Sequence, residues 1–212
     1  LLSEFLCTEQ RLANERSSEM MTKMAGFPYQ KTLDDFEFDF QISIREEVFR
    51  EFSEGGYINR NQNIMLLGPP GTGKTHLAVA LGMEAAKRRV KVKFTTLSAM
   101  VTNLKEARQK NSYSTRFKVF VNPSLLIIDE VGFTPLSNDE AAIFFDVICA
   151  RYEKGSVILT SNKSYAQWAE IFSGDSVIAT AILDRLLHHS QSFSLKGQSY
   201  RMREFKEKKG GN

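Results

Sequence analysis

The residues best equipped for chemistry form one octet, Gly68-Pro69-Pro70-Gly71-Thr72-Gly73-Lys74-Thr75, directly after the apolar run 64–67. Its spacing, GxxxxGK[ST], suits a polyphosphate. Glycines let successive backbone N–H groups converge on phosphate oxygens, and a helix starting near Gly73 would aim its positive dipole end at them. Lys74 adds a point charge for the β- and γ-phosphates, and the Thr75 hydroxyl is a ligand for Mg²⁺. We therefore expect Gly68, Pro69, Pro70, Gly71, Thr72, Gly73, Lys74, Thr75 and the adjoining His76 to bind a nucleoside triphosphate. The bland alternative is a Gly/Pro-rich turn beside a lysine. A strand before the motif and a helix after it argue against that.

Two other strand ends carry polar groups. LLIIDE (125–130) places two carboxylates 55 residues beyond Lys74. Asp129 suits Mg²⁺ through its water shell, and Glu130 can polarise an attacking water. The run SVILT ends in Thr160-Ser161-Asn162, where an amide can orient that water near the γ-phosphate. A guanine-specific alternative exists, because Asp129-Glu130-Val131-Gly132 matches DxxG and Asn162-Lys163 opens an NKxD motif. Its fourth position is Tyr165, so the guanine N1–H and N2–H₂ groups lose their acceptor and discrimination would be weak. Adenine is the expected base, and ATP the expected ligand.

The elements that position these groups follow from hydrophobic rhythm. From residue 62 the chain alternates: strand 63–67, helix 74–88, strand 91–96, helix 98–110, strand 124–128, helix 138–152 and strand 156–160. Such alternation predicts an α/β fold with a parallel central sheet and helices on both faces. Ser137-x-x-Glu140 is a capping-box start, and Ala141, Phe144, Phe145, Ile148 and Tyr152 form the expected buried stripe. Upstream, residues 2–24 and 43–54 have helical spacing. Between them TLDDFEFDF (32–40) alternates Phe36, Phe38 and Phe40 with acids. We divide the chain into an N-terminal helical segment with connector, 1–58, and an ATPase domain, 59–212.

With 42% apolar residues and 16 Phe among 212 residues, a real core is within reach. No apolar run approaches the ~18–20 residues of a membrane span, and no signal-peptide pattern appears, so the expected location is cytoplasmic and no membrane partner is expected. Cys7 and Cys149 make no metal-spaced set and read as reduced thiols. The first residue is Leu1 rather than Met, which reads as a piece of something longer. The net charge of +3 divides unevenly: residues 1–59 carry 6 basic and 12 acidic side chains, residues 60–212 carry 22 and 13. A basic second half fits an anionic partner beyond the nucleotide. His188 and His189 invite a metal reading. Adjacent histidines on a helix point in different directions, however, and no third ligand stands near in sequence, so packing or exposure is the plainer reading.

GPPGTGKTHLA, the strand-end DE, the strand-end Asn, GDSVIATAILDRLLHHS and GQSYR together resemble the AAA+ P-loop ATPases. More narrowly they resemble the DnaC/IstB branch, and within it the IstB-type ATPase helpers of insertion-sequence transposons; the match runs from about residue 32 to 203. The resemblance implies a P-loop NTPase fold of AAA+ type with a reduced or absent lid, and only 50 residues follow Asn162. It makes Asp129 and Glu130 the Walker B pair and Asn162 sensor 1. Arg185 corresponds to an arginine finger delivered to a neighbouring subunit, and Arg201 to sensor 2. The alternative for Arg185 is a surface cation paired with Asp184 or Asp175; for Arg201 it is a basic tail residue. The connector 32–40 would pack beside the adenine, or else form a strand edge burying one face.

In that branch the helix after the second strand faces DNA. Here SAMVTNLKEARQKNSYSTRFK (98–118) buries Met100, Val101, Leu104 and Ala107 and offers Lys105, Arg108, Lys110, Arg116 and Lys118, with only Glu106 opposing them. Phosphate contacts from these five would give largely sequence-independent, salt-dependent binding to duplex DNA; a solvated helix face is the alternative. A second basic run, KRRVKVK (87–93), straddles a helix end, where cations already have a dipole explanation. The resemblance implies a protein that self-associates into a ring or helical filament on DNA and regulates a transposase. A DnaC-like helicase loader, or a nucleotide-gated scaffold with negligible turnover, are the rival readings.

Overall fold

The computed structural model describes residues 2–197, 199–200 and 202–203, without the side chains of residues 2–8 and 10–14. Five strands, β1 (Asn63–Leu67), β2 (Val92–Thr96), β3 (Leu125–Val131), β4 (Ser156–Ser161) and β5 (Ser190–Ser194), form one parallel sheet in the order β2-β3-β4-β1-β5. The helices are α1 (Leu2–Ala25), α2 (Glu46–Ser53), α3 (Gly56–Asn59), α4 (Lys74–Lys87), α5 (Leu97–Gln109), α6 (Tyr113–Val121), α7 (Asn138–Arg151), α8 (Trp168–Ile171) and α9 (Ser176–Leu187).

Strand side chains alternate between two cores, as the two-residue repeat of a pleated strand requires. Ile64, Leu66, Leu125, Ile127 and Ile158 face a core built with α2 and α4; Met65, Leu126, Ile128, Val157 and Leu159 face one built with α5, α7 and α9. Both faces are covered, so the inner strands β1, β3 and β4 read as apolar runs rather than alternating ones. Helix α4 is buried nearly all round because α1 and α2 pack on its outer side. The carboxyl ends of β1, β3 and β4 share one edge, where open α/β sheets place their ligands.

Several elements depart from the sequence expectation. The basic stretch 98–118 is two helices, with Asn111 at φ 52° turning the chain between α5 and α6. β5 (SQSFS) has no apolar run to announce it; it pairs with β1 alone at the sheet edge and stays half-exposed. Helix α7 keeps its capping box at Ser137 and Glu140, but ends at Arg151. Tyr152 therefore leaves the expected stripe as the residue after the helix, and Phe145 is only partly buried, while Ile143, Val147 and Arg151 fill the core positions. The connector 32–40 is a series of turns and no strand edge.

Arg151 is 2% exposed and ion-paired with no carboxylate among the described residues. Its guanidinium instead donates to five backbone carbonyls: Phe120, Val121, Pro123, Ser124 and Ser156. Burial pushes its pKa down to about 10, which leaves it charged at neutral pH. The charge thus staples the loop after α6 to the starts of β3 and β4. Among the described residues no helix is long and apolar enough to cross a membrane.

Candidate active site

The loop between β1 and α4 is held in shape before any ligand acts on it. Gly73 precedes α4 at φ 92°, and a Cβ there would lie 2.4 Å from the Phe36 ring, so glycine is required twice over. The Lys74 ammonium donates to Gly68 O at 2.7 Å and Pro69 O at 2.6 Å. Thr72 donates to Pro69 O at 2.9 Å, and the buried Gln41 amide donates to Thr72 O at 3.1 Å. Gln41 thus clamps the loop from the connector, a role its position in the sequence did not suggest.

The acidic end is organised by a residue that the motif reading passed over. Thr160, at the end of β4, donates to Asp129 Oδ1 at 2.5 Å and accepts the Glu130 backbone N–H at 3.1 Å. Thr75 donates to the same Asp129 oxygen at 2.9 Å. β3 carries an irregularity between Ile128 and Val131, and Glu130 sits at φ 62°, a conformation that costs a non-glycine residue energy. The consequence is local: Asp129 and Val131 are buried, while Glu130 between them turns outward. A run of three polar strand-end residues, Thr160-Ser161-Asn162, was the available signal.

Lys74, Thr75, Asp129, Glu130 and Thr160 share the wall of one cavity of about 310 Å³ with Phe36, Phe40 and Tyr200. The connector aromatics separate by role. Phe36 meets His76 edge-on at 5.2 Å and Phe40 meets Tyr200 at 5.8 Å, both on the cavity wall, whereas the partly buried Phe38 does not line the cavity and packs with Phe36 on the core, against Phe49. His76 Nε2 lies 2.8 Å from Thr32 O, and burial pushes its imidazole pKa below the usual value. Opposite, Tyr200 closes over the loop. Its backbone N–H donates to Gly71 O at 2.9 Å and its hydroxyl to Glu37 at 2.5 Å, while Arg203 pairs with Glu37 at 2.9 Å. The tyrosine bond first, then the arginine, hold the Glu37 carboxyl below its usual pKa.

Other expected residues stand elsewhere. Asn162 is not among the cavity's lining residues; its Oδ1 is buried without a hydrogen-bond partner among the described residues, close to Gly132. Arg185 lies on α9, donating to Ala181 O at 2.7 Å and stacking over Phe145 at 5.0 Å, and it does not line this chain's cavity. Neither Asp184 nor Asp175 pairs with it; Asp175 caps α9 instead. Arg201 falls outside the described residues.

The five cations of 98–118 are opposed by more than Glu106. Lys105 pairs with Glu140 at 2.9 Å, Arg108 lies 3.8 Å from Asp146 and over the Tyr113 ring at 4.8 Å, and Lys110 reaches Glu106 at 3.7 Å. The extra carboxylates come from α7, which packs on α5. Arg116 and Lys118 stand exposed on α6. The histidine pair also departs from expectation. α9 ends at Leu187, so His188 and His189 follow it with ring centroids 4.2 Å apart.

A family model described as IstB-like ATP binding protein matches residues 1–208. The ATP-binding protein of insertion sequence IS5376 from Geobacillus stearothermophilus is 50% identical over 189 residues, covering 89% of this chain and 75% of that protein. Its counterpart in insertion sequence IS21 of Pseudomonas aeruginosa is 45% identical over 205 residues, covering 95% and 77%. Among solved structures, AMPPCP-bound DnaA from Aquifex aeolicus superposes with a TM-score of 0.67 at 24% identity, over 86% of this chain and 56% of that one. The DnaC helicase loader superposes with a TM-score of 0.60 at 22% identity, over 71% and 88%. These two structures speak to the fold alone. The phosphate loop, the parallel sheet and the match over nearly the whole length make this chain an α/β P-loop protein of AAA+ type that belongs to the IstB-like ATP-binding proteins.

Proposed function

We propose that this chain hydrolyses ATP with Mg²⁺, assembles with copies of itself on duplex DNA, and regulates a transposase. The observation that carries the first part is the convergence of Lys74, Thr75, Asp129 and Glu130 on one cavity from two strand ends. Thr75 and Asp129 offer hard oxygen donors 2.9 Å apart, the donor chemistry that Mg²⁺ takes. Held there, the ion would neutralise charge on the phosphates. The backbone N–H groups of 71–75 bind the triphosphate, and Lys74 exchanges its two carbonyls for β- and γ-phosphate oxygens, which are stronger acceptors. Glu130, turned outward by the β3 irregularity, accepts the proton of the attacking water; Asn162, set back beside Gly132 just past β4, is assigned to orient that water once the triphosphate is bound. Phe36 and Phe40 offer the base two aromatic walls.

Arg185 does not line its own chain's cavity, which fits delivery to a neighbour's γ-phosphate and makes assembly and turnover interdependent. Arg201 is assigned to the chain's own phosphates. Arg116 and Lys118 lead the duplex contact, with Lys105, Arg108 and Lys110 joining as their ion pairs open. Exposed pairs of this kind are worth under about 1 kcal/mol, so a DNA phosphate can displace the carboxylate. Relatives at 50% and 45% identity are insertion-sequence proteins, which supports a transposase over a helicase as client. Phosphate release with and without duplex DNA tests the reading. ATP turnover that DNA stimulates, lost in Glu130→Gln, is the expected result. Turnover indifferent to Glu130 sinks the enzymatic claim and leaves a nucleotide-gated scaffold.

A further inference from the structure

The one cluster of three histidine, cysteine or carboxylate side chains with convergent ligand atoms among the described residues lies away from the ATP cavity. It joins Glu153 to His188 and His189. The objection raised by sequence alone, divergent rings and no third ligand, fails on both counts. α9 stops at Leu187 with His188 as its helical cap, His189 follows beyond the helix with its ring centroid 4.2 Å from that of His188, and the turn after α7 delivers the carboxylate.

Glu153 Oε1 lies 3.8 Å from His188 Nδ1 and 3.7 Å from His189 Nε2. Ligand atoms about 2.0–2.1 Å from a tetrahedral ion stand about 3.3 Å apart, so small rotations of three exposed side chains suffice. The backbone beneath them is held. Glu153 adopts φ 57°, its carbonyl accepts the Asn61 side-chain amide at 2.9 Å, and His189 O accepts the Asn63 N–H at 2.7 Å. Two helices, α7 of 14 residues and α9 of 12, end within two residues of the cluster, and their C-terminal carbonyl ends favour positive charge. The nearby Arg185 cation is turned away onto Phe145 and Ala181 O. Among the described residues the Tyr152 hydroxyl, 2.7 Å from His188 Nδ1 and also hydrogen-bonded to Glu153, competes for these ligand atoms.

We propose that Glu153, His188 and His189 bind a divalent transition-metal ion. Two imidazoles and one carboxylate select the borderline ions Zn²⁺, Ni²⁺ and Cu²⁺ over Mg²⁺ or Ca²⁺. The site is distinct from the one assigned to ATP and does not depend on that assignment. Occupancy would pin the last turn of α9, which carries Arg185.

The test uses untagged, chelator-stripped protein titrated with Zn²⁺ alone against a chromophoric chelator. One equivalent is expected to bind. His189→Ala and Glu153→Gln should each weaken it by at least the about tenfold that loss of an outer-shell partner costs. Tyr152→Phe, which removes the competitor, should leave affinity equal or higher. Neither His189→Ala nor Glu153→Gln removes a contact from either core, so their far-UV spectra and melting curves should match the parent. Undiminished Zn²⁺ binding in the His189→Ala, Glu153→Gln double variant overturns the proposal, as does the absence of a bound equivalent in the parent.

Discussion

Replacing Thr160 by Val isolates one hydroxyl at the acidic end of the proposed active site. The two side chains have nearly the same shape, and Thr160 is 2% exposed, so packing is conserved while two hydrogen bonds vanish. The bond to ionised Asp129 belongs to the class worth about 1.5–3 kcal/mol, and the orphaned Glu130 N–H adds about 1–3 kcal/mol if it stays buried. Asp129 retains its bond from Thr75, so part of the first loss is recovered. A net loss of about 2–4 kcal/mol in folding stability follows, read as a lower urea midpoint with unchanged slope. The kinetic effect has a separate origin. Glu130 sits at φ 62°, a conformation that costs about 1–3 kcal/mol and persists only while neighbours enforce it. Without Thr160 the peptide relaxes and the carboxylate leaves its aim. Given about 2.7 kcal/mol for a misdirected base, kcat should fall about 100-fold. The Kd for ATP, set by the loop 68–75, should change less than about threefold. Thr160→Ser keeps the hydroxyl and should restore kcat to within about fivefold. A folded Thr160→Val protein with parental kcat would refute the positioning role; an equal loss in kcat and ATP affinity would refute the division between base and loop.

Three other outcomes follow from the geometry. Arg151→Met should cost at least about 3 kcal/mol in urea denaturation, because five carbonyls lose one shared donor and those left buried go unsatisfied. His76 should make stability fall in mild acid. Its folded pKa lies below 6.5, so as pH drops through 6.5 the unfolded chain takes up the proton first and is favoured, until the folded pKa is passed. Denaturation midpoints at pH 7.5, 6 and 5 should show that decline and lose it in His76→Gln. For DNA, the Arg116→Ala, Lys118→Ala double variant should flatten the salt dependence of duplex binding by about two contacts, more than Lys105→Ala does, since Lys105 is already paired with Glu140. Anisotropy titrations across salt concentrations give both slopes, and equal slopes would remove α6 from the interface.

The sequence by itself determined the phosphate loop, because every requirement of that loop is local. Glycines at left-handed positions, a lysine and a threonine opening a helix all fall within eight consecutive residues. It determined the parallel sheet for a related reason: strands buried on both faces carry long apolar runs, and the three inner strands β1, β3 and β4 announce themselves so. The polar edge strand β5, which has only one neighbour to satisfy, did not. Tertiary structure alone decided which side chains meet. Thr160 and Asp129 stand 31 residues apart, and only adjacent strand ends bring the hydroxyl to the carboxylate. Of three alternating phenylalanines, Phe36 and Phe40 line the cavity while Phe36 and Phe38 pack on the core, because the connector turns instead of extending. Lys105 and Arg108 look free in sequence until α7 packs Glu140 and Asp146 against them. His188 and His189 lack a third ligand until the turn after α7 supplies Glu153. In each case the partner's identity is a pairwise distance across the fold, a quantity that no local periodicity encodes.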